Sequence, residues 1–131
     1  MKIIWLGHAS FRLEIGDQVL LIDPWLTGNP MLPADRHQEA TQGATHILLT
    51  HGHFDHISDT LPLAKENNIP VVGQYDLIGH WMETEEIEGI GFNKGGTVFL
   101  AMWRSPWCTQ STVPPWAPLR VRNVSAANAG L

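Results

Sequence analysis

The stretch Thr50-His51-Gly52-His53-Phe54-Asp55-His56 constrains this chain of 131 residues more than any other feature. It follows His46-Ile47-Leu48-Leu49, an apolar run with the length and aliphatic character of a buried strand. Imidazoles and a carboxylate are thus gathered at the mouth of a strand. Neutral imidazole is a good ligand for zinc, iron or manganese, and a carboxylate adds the hard oxygen donor these ions accept. In an extended segment His51 and His53 alternate, so both rings can point the same way, and Asp55 and His56 follow as the chain turns. One ion would take His51 and His53, and a second would take Asp55 and His56. The alternative, a polar loop rich in histidine by chance, leaves their position behind a strand unexplained.

The rest of the chain builds a frame for this stretch. Lys2 to Leu6 reads as a strand. Ser10 to Ile15 alternates, with Phe11, Leu13 and Ile15 set against Arg12 and Glu14, as a strand with one wet face does. Gly16-Asp17 is a hairpin turn, and Val19 to Ile22 returns as a more buried strand, stopped at Asp23-Pro24. Thr27 to Thr45 shows no sustained period and is expected to be a loop flanking the site, with His37 solvated. Ser58 or Asp59 can cap a helix running to Asn67, with Pro62 tolerated in its first turn. A helix starting behind His56 would aim backbone N–H groups at the site and favour an anionic substrate group. Ile69 to Val72 reads as a strand and Tyr75 to Met82 as a helix, with His80 on its surface. Glu83, Glu85, Glu86 and Glu88 form a solvated run.

Two more residues are candidates near the site. His8, in the bend Gly7-His8-Ala9, is either a group that touches the substrate or supports a ligand, or a turn histidine bonded to backbone. Asp23, at a strand end, can orient an imidazole by accepting its free N–H; the alternative is an ordinary Asp-Pro turn.

At these residues the sequence resembles the metallo-β-lactamase superfamily, whose signature is His-x-His-x-Asp-His after a short hydrophobic strand. Trp5-Leu6-Gly7-His8-Ala9-Ser10-Phe11, Leu21-Ile22-Asp23-Pro24-Trp25-Leu26 and Asn93-Lys94-Gly95-Gly96 are similar to the small metal-dependent hydrolases related to L-ascorbate-6-phosphate lactonase. The resemblance implies an α/β fold, the N-terminal half of an αββα sandwich, over residues 1–98. It also favours the supporting role for Asp23. Residues 99–131 are expected to be an irregular tail, disordered or the product of a shifted reading frame. They contain no His, Asp or Glu, and Pro106, Pro114, Pro115 and Pro118 interrupt any period. The resemblance implies further ligands later in the chain, and only Cys108 is a possible donor there. Back-translating Leu100 to Thr112 in a displaced frame can yield the strand and His segment expected at that point.

Charge and composition narrow the function. The net charge is −5, and all 13 acidic residues precede residue 93. This argues against a general nucleic-acid partner, because phosphate contacts need clustered Lys and Arg. Cys108 is the single cysteine, so no internal disulfide forms, and a reducing, cytoplasmic location fits. No signal peptide and no run of roughly 20 apolar residues is present, so no membrane span is expected.

The first function expected is a metal-dependent hydrolase, truncated in this form, acting on a lactone, ester or phosphate-bearing small molecule. One or two divalent ions, zinc first and manganese or iron as alternatives, would lower the pKa of a bound water to about 7 and polarise the substrate. Asp55 would position that water or shuttle its proton. The second is a catalytically inert metal-binding fragment, favoured for these 131 residues taken alone. A third, an RNA-processing nuclease of the same superfamily, is disfavoured by the acidic charge. An oligomer is compatible with all three.

Overall fold

The computed structural model describes residues 1–98 and 100. Its frame is a six-stranded sheet in chain order: β1 (Lys2–Gly7), β2 (Ser10–Ile15), β3 (Gln18–Ile22), β4 (His46–Leu48), β5 (Val71–Gln74) and β6 (Gly89–Phe92). β1, β2 and β3 pair antiparallel, and β3 to β6 pair parallel. The hairpin and the buried return strand lie where the alternation and Gly16-Asp17 put them.

The register sorts side chains onto two faces. Arg12, Leu21, Ile47, Val71 and Gly89 stand in one cross-strand row. On that face the sheet packs against α3 (Thr60–Asn67) and α4 (Tyr75–Thr84), with Leu21, Ile47, Val71, Ala64, Ile78 and Trp81 in one core cluster. Ile78 is wholly buried, so truncating it to Ala should cost about 2–5 kcal/mol. Helix α4 lies this close because β6 offers glycine: a Cβ on Gly89 would sit 2.5 Å from Ile78 Cγ2. The neighbouring row, Phe11, Ile22, Leu48, Val72 and Ile90, faces the other way. Ile22, Leu48 and Val72 line an apolar hollow there together with Phe92, Val98 and Leu100.

Several elements differ from the sequence reading. Within 27–45 the chain forms a 3-10 turn (Ala34–Arg36) and α1 (His37–Thr41). Pro33 sets the turn, and Ala40 is buried beside Leu6, Leu26 and Leu32. The guanidinium of Arg12 donates to the carbonyls of Ala40 and Gln42, tying α1 to β2. His37, expected to be solvated, has a buried Nε2 with no hydrogen-bond partner. β6 was not foreseen, because Gly89-Ile90-Gly91-Phe92 reads as breaker residues until α4 is seen packing on them. Residues 99 and 101–131 lie outside the described residues, and with them the expectations of a disordered or frameshifted tail and of any role for Cys108. Among the described residues no helix is long and apolar enough to cross a membrane.

Candidate metal centre

The site forms where parallel strands end. β1 and β3 both run antiparallel to β2, and β4 runs parallel to β3, so the carboxyl ends of β1, β3 and β4 share one edge. His8 follows β1, Asp23 follows β3, and Thr50 to His56 follow β4. In open α/β sheets, ligand sites lie outside such carboxyl ends.

His8 and Asp23 both hold left-handed backbone, with φ of 51° and 45°. For residues other than glycine this conformation is uncommon and costs energy. Both positions are over-determined by hydrogen bonds. The indole N–H of Trp5 donates to the carbonyl of His8 at 2.9 Å. The backbone N–H of Asp23 donates to Leu48 at 2.9 Å, and the buried Ser10 hydroxyl donates to the Asp23 carbonyl at 2.6 Å.

Asp23 is 2% exposed, and its carboxylate accepts from Thr50 N–H at 2.7 Å and from the Thr50 hydroxyl at 2.6 Å. It also meets His56 Nδ1 at 2.9 Å. These contacts occupy both oxygens, so Asp23 supports His56 and leaves His56 Nε2 facing the site. A carboxylate–imidazole hydrogen bond of this kind is what an orienting role for Asp23 would require.

The remaining candidates converge. His8 Nε2 lies 2.8 Å from Asp55 Oδ2, and His56 Nε2 lies 3.9 Å from the same oxygen. His51 Nε2 is 3.1 Å from His53 Nδ1, and the His51 and His56 ring centroids are 4.0 Å apart. Ligand-type atoms of His8, Asp55 and His56 lie within 4.8 Å of one another, and so do those of Asp23, His51 and His56. A tetrahedral ion with bonds of about 2.0–2.1 Å holds its ligand atoms roughly 3.4 Å apart, so modest side-chain rotation suffices. The donor set of imidazole and carboxylate fits a divalent cation. His56 belongs to both triads, and His53 reaches them through His51.

Burial pushes the Asp55 carboxyl up. Its own backbone N–H, the neighbouring His56 and His8 and the hydrogen bond from His8 outweigh that, and its pKa ends below the ordinary carboxylate value. Asp55 is therefore ionised at neutral pH.

The helix expected from Ser58 or Asp59 through Asn67 is α3 (Thr60–Asn67), with Asp59 at its N-cap position; α2 (Phe54–Ile57), which contains Asp55 and His56, was not foreseen. Asp59 precedes α3 without capping it through its side chain. Its carboxylate accepts instead from Leu26 N–H, Thr27 N–H, the Thr27 hydroxyl and the Ser58 hydroxyl, clamping the segment after β3. That segment carries Trp25, whose ring meets His8 edge-on at 5.3 Å. The pairing of His8 with Asp55 and the place of Thr50 between Asp23 and His51 were also missed. The only signal for either was adjacency of strand ends, visible once the strands are known to be parallel. His80, expected on the surface, is exposed.

Residues 3–128 match the sequence profile of the Metallo-beta-lactamase superfamily, and the chain belongs to that superfamily. A UPF0173 metal-dependent hydrolase of Ruegeria pomeroyi is 70% identical over 100 residues, which are 76% of this chain and 44% of that protein. Another, of Paracoccus denitrificans, is 68% identical over 100 residues with the same coverage. The chain thus spans less than half the length of these curated relatives. Among solved structures, Igni18, a metallo hydrolase of Ignicoccus hospitalis, superposes with a TM-score of 0.63 at 24% identity, covering 75% of this chain and 42% of that one. An isothiocyanate hydrolase from Delia radicum gut bacteria gives 0.56 at 21%, covering 76% and 44%. These two likenesses concern the fold, and it is the α/β fold of the superfamily.

Proposed function

We propose that residues 1–98 carry the metal-binding part of a hydrolase that acts on a lactone, ester or phosphate-bearing small molecule. The observation that carries this reading is the convergence of Asp55 and His56 with His8, and of His51 with His56, at three strand ends, His53 adjoining His51 and buried Asp23 lying behind His56. The names of the curated relatives, metal-dependent hydrolases, support it.

His51, His53, Asp55 and His56 are the ligands in this reading, zinc being the ion their nitrogen-rich set suits best. A bound divalent ion supplies Lewis acidity to a substrate carbonyl or phosphoryl oxygen. Asp23 holds His56 with Nε2 toward the site. Asp55, ionised at neutral pH, accepts a hydrogen bond at 2.8 Å from His8 and is placed to take a proton from an attacking water. His8 lines the same opening and holds the Asp55 carboxylate in place. The net charge of −5 supports a small molecule over a nucleic acid, and lone Cys108 supports a reducing, cytoplasmic location.

The test is turnover by the full chain, loaded in turn with zinc, manganese and iron, on a panel of lactones, esters and phosphate esters. Asp55→Asn should lose at least about 100-fold of any activity found, as removal of a catalytic proton acceptor does. A fully loaded chain that turns over nothing on the panel would favour the inert metal-binding fragment. A chain that takes up no ion would overturn both.

A further inference from the structure

The metal reading gives Thr50 no task, yet its hydroxyl stands between a buried carboxylate and an imidazole. Thr50 Oγ1 is 2.6 Å from Asp23 Oδ2 and 2.9 Å from His51 Nδ1. A carboxylate only accepts, so the Thr50 hydroxyl commits its one hydrogen to Asp23. What it then presents to His51 is a lone pair, and the proton of that hydrogen bond must belong to His51 Nδ1. The bare nitrogen of His51 is therefore Nε2, the atom that faces His53. The same oxygen of Asp23 meets His56 Nδ1 at 2.9 Å, which leaves His56 Nε2 bare by the same logic.

We infer that Thr50 is a positioning residue whose hydroxyl relays Asp23 to His51, so that one buried carboxylate sets the tautomer of two imidazoles. Free histidine favours the proton on Nε2, so without the relay His51 would turn a filled donor toward the site. Both branches converge on one group: the Asp23 backbone is held by its left-handed φ, by Leu48 and by Ser10, and its carboxylate by the Thr50 N–H on the other oxygen. The purpose of the relay, presenting two Nε2 lone pairs to a divalent cation, rests on the metal reading. Its geometry does not.

The two can be tested apart in the full chain, labelled with ¹⁵N, stripped of metal and held at about pH 8. Long-range ¹H–¹⁵N correlation spectra report which nitrogen of each histidine carries the proton. Thr50→Val removes the hydroxyl at nearly constant shape and keeps the backbone N–H bond to Asp23. Thr50→Ser keeps the hydroxyl. Wild type and Thr50→Ser should show His51 protonated at Nδ1, and Thr50→Val should move that proton to Nε2 while His56 stays as it was. In parallel zinc titrations, Thr50→Val should bind about 10–100-fold more weakly, the usual loss for a partner behind a ligand, and Thr50→Ser as wild type does.

A wild-type His51 protonated at Nε2 overturns the relay whatever the variants do, and so does Thr50→Val with its Nδ1 proton retained. A tautomer shift with unchanged zinc affinity overturns the positioning role. If the wild type binds no zinc while the tautomer still shifts, the relay stands and the metal reading falls.

Discussion

Replacing Asp59 with alanine separates a clamp from a helix cap. A lost N-cap side chain costs about 1 kcal/mol and frays the helix it caps. The clamp makes a larger prediction. The Asp59 carboxylate accepts from Leu26 N–H at 2.7 Å, Thr27 N–H at 3.1 Å, the Thr27 hydroxyl at 2.7 Å and the Ser58 hydroxyl at 3.1 Å. Thr27 is exposed, so its groups find water and their loss costs a few tenths of a kcal/mol each. Leu26 is 4% exposed and packs with Leu6, Leu32 and Ala40, so its N–H stays desolvated and unpaired, at about 1–3 kcal/mol. The sum is about 2–4 kcal/mol, a fall of roughly 10–20 °C in Tm for a folded unit of this size.

The pH dependence adds a second signature. Burial raises the Asp59 pKa, but the Thr27 hydroxyl, the Leu26 and Thr27 N–H groups and the Ser58 hydroxyl together pull it below the ordinary value. A depressed folded pKa contributes stability that is full above the unfolded value, about 3.9, and is lost as pH falls through the folded value. Thermal melts of wild type and Asp59→Asn should therefore differ by a constant amount above about pH 5 and converge below about pH 4. A shift below about 3 °C for Asp59→Ala, or a gap with Asp59→Asn that persists unchanged at low pH, would refute the clamp.

Two other perturbations read the frame of the site. Burial lowers the pKa of His46, so the unfolded chain binds the extra proton, and stability is full above the unfolded value of about 6.5 and falls as pH drops below it. Urea denaturation from pH 8 to pH 5 should show a shallower loss in His46→Gln than in wild type, and equal slopes would contradict this. Gly7 holds φ at 99°, and a Cβ there would meet Met31 Cβ at 2.4 Å. Gly7→Ala should cost about 2–3 kcal/mol in the same assay.

The motif and the hairpin were legible because each is local. Alternation from Ser10 to Ile15 fixes a face, and histidines behind an apolar strand carry their own chemistry. At Asp23 the strand end alone left an Asp-Pro turn open, and only the resemblance to the superfamily favoured the orienting role. What could not be read depends on pairing across the chain. Nothing local says that Asp59 reaches back to Leu26 and Thr27, that His8 meets Asp55, or that Thr50 lies against Asp23. Each contact follows from strand order and direction, which side-chain periodicity does not encode. β6 was hidden because Gly89 is there for the close approach of Ile78, a tertiary demand that looks like a turn signal in sequence.

The central claim is that the histidines and Asp55 after β4 form a metal site with His56 at its centre. Zinc titration of the metal-stripped chain, followed calorimetrically, tests it most directly. Because His56 Nε2 lies 3.9 Å from Asp55 Oδ2 and its ring centroid 4.0 Å from that of His51, His56→Ala should lose more affinity than the about 10–100-fold expected of an outer partner. His80→Ala, on the exposed face of α4, should bind zinc as wild type does. Zinc bound by His56→Ala with wild-type affinity, or no zinc bound by the wild type, would contradict the account.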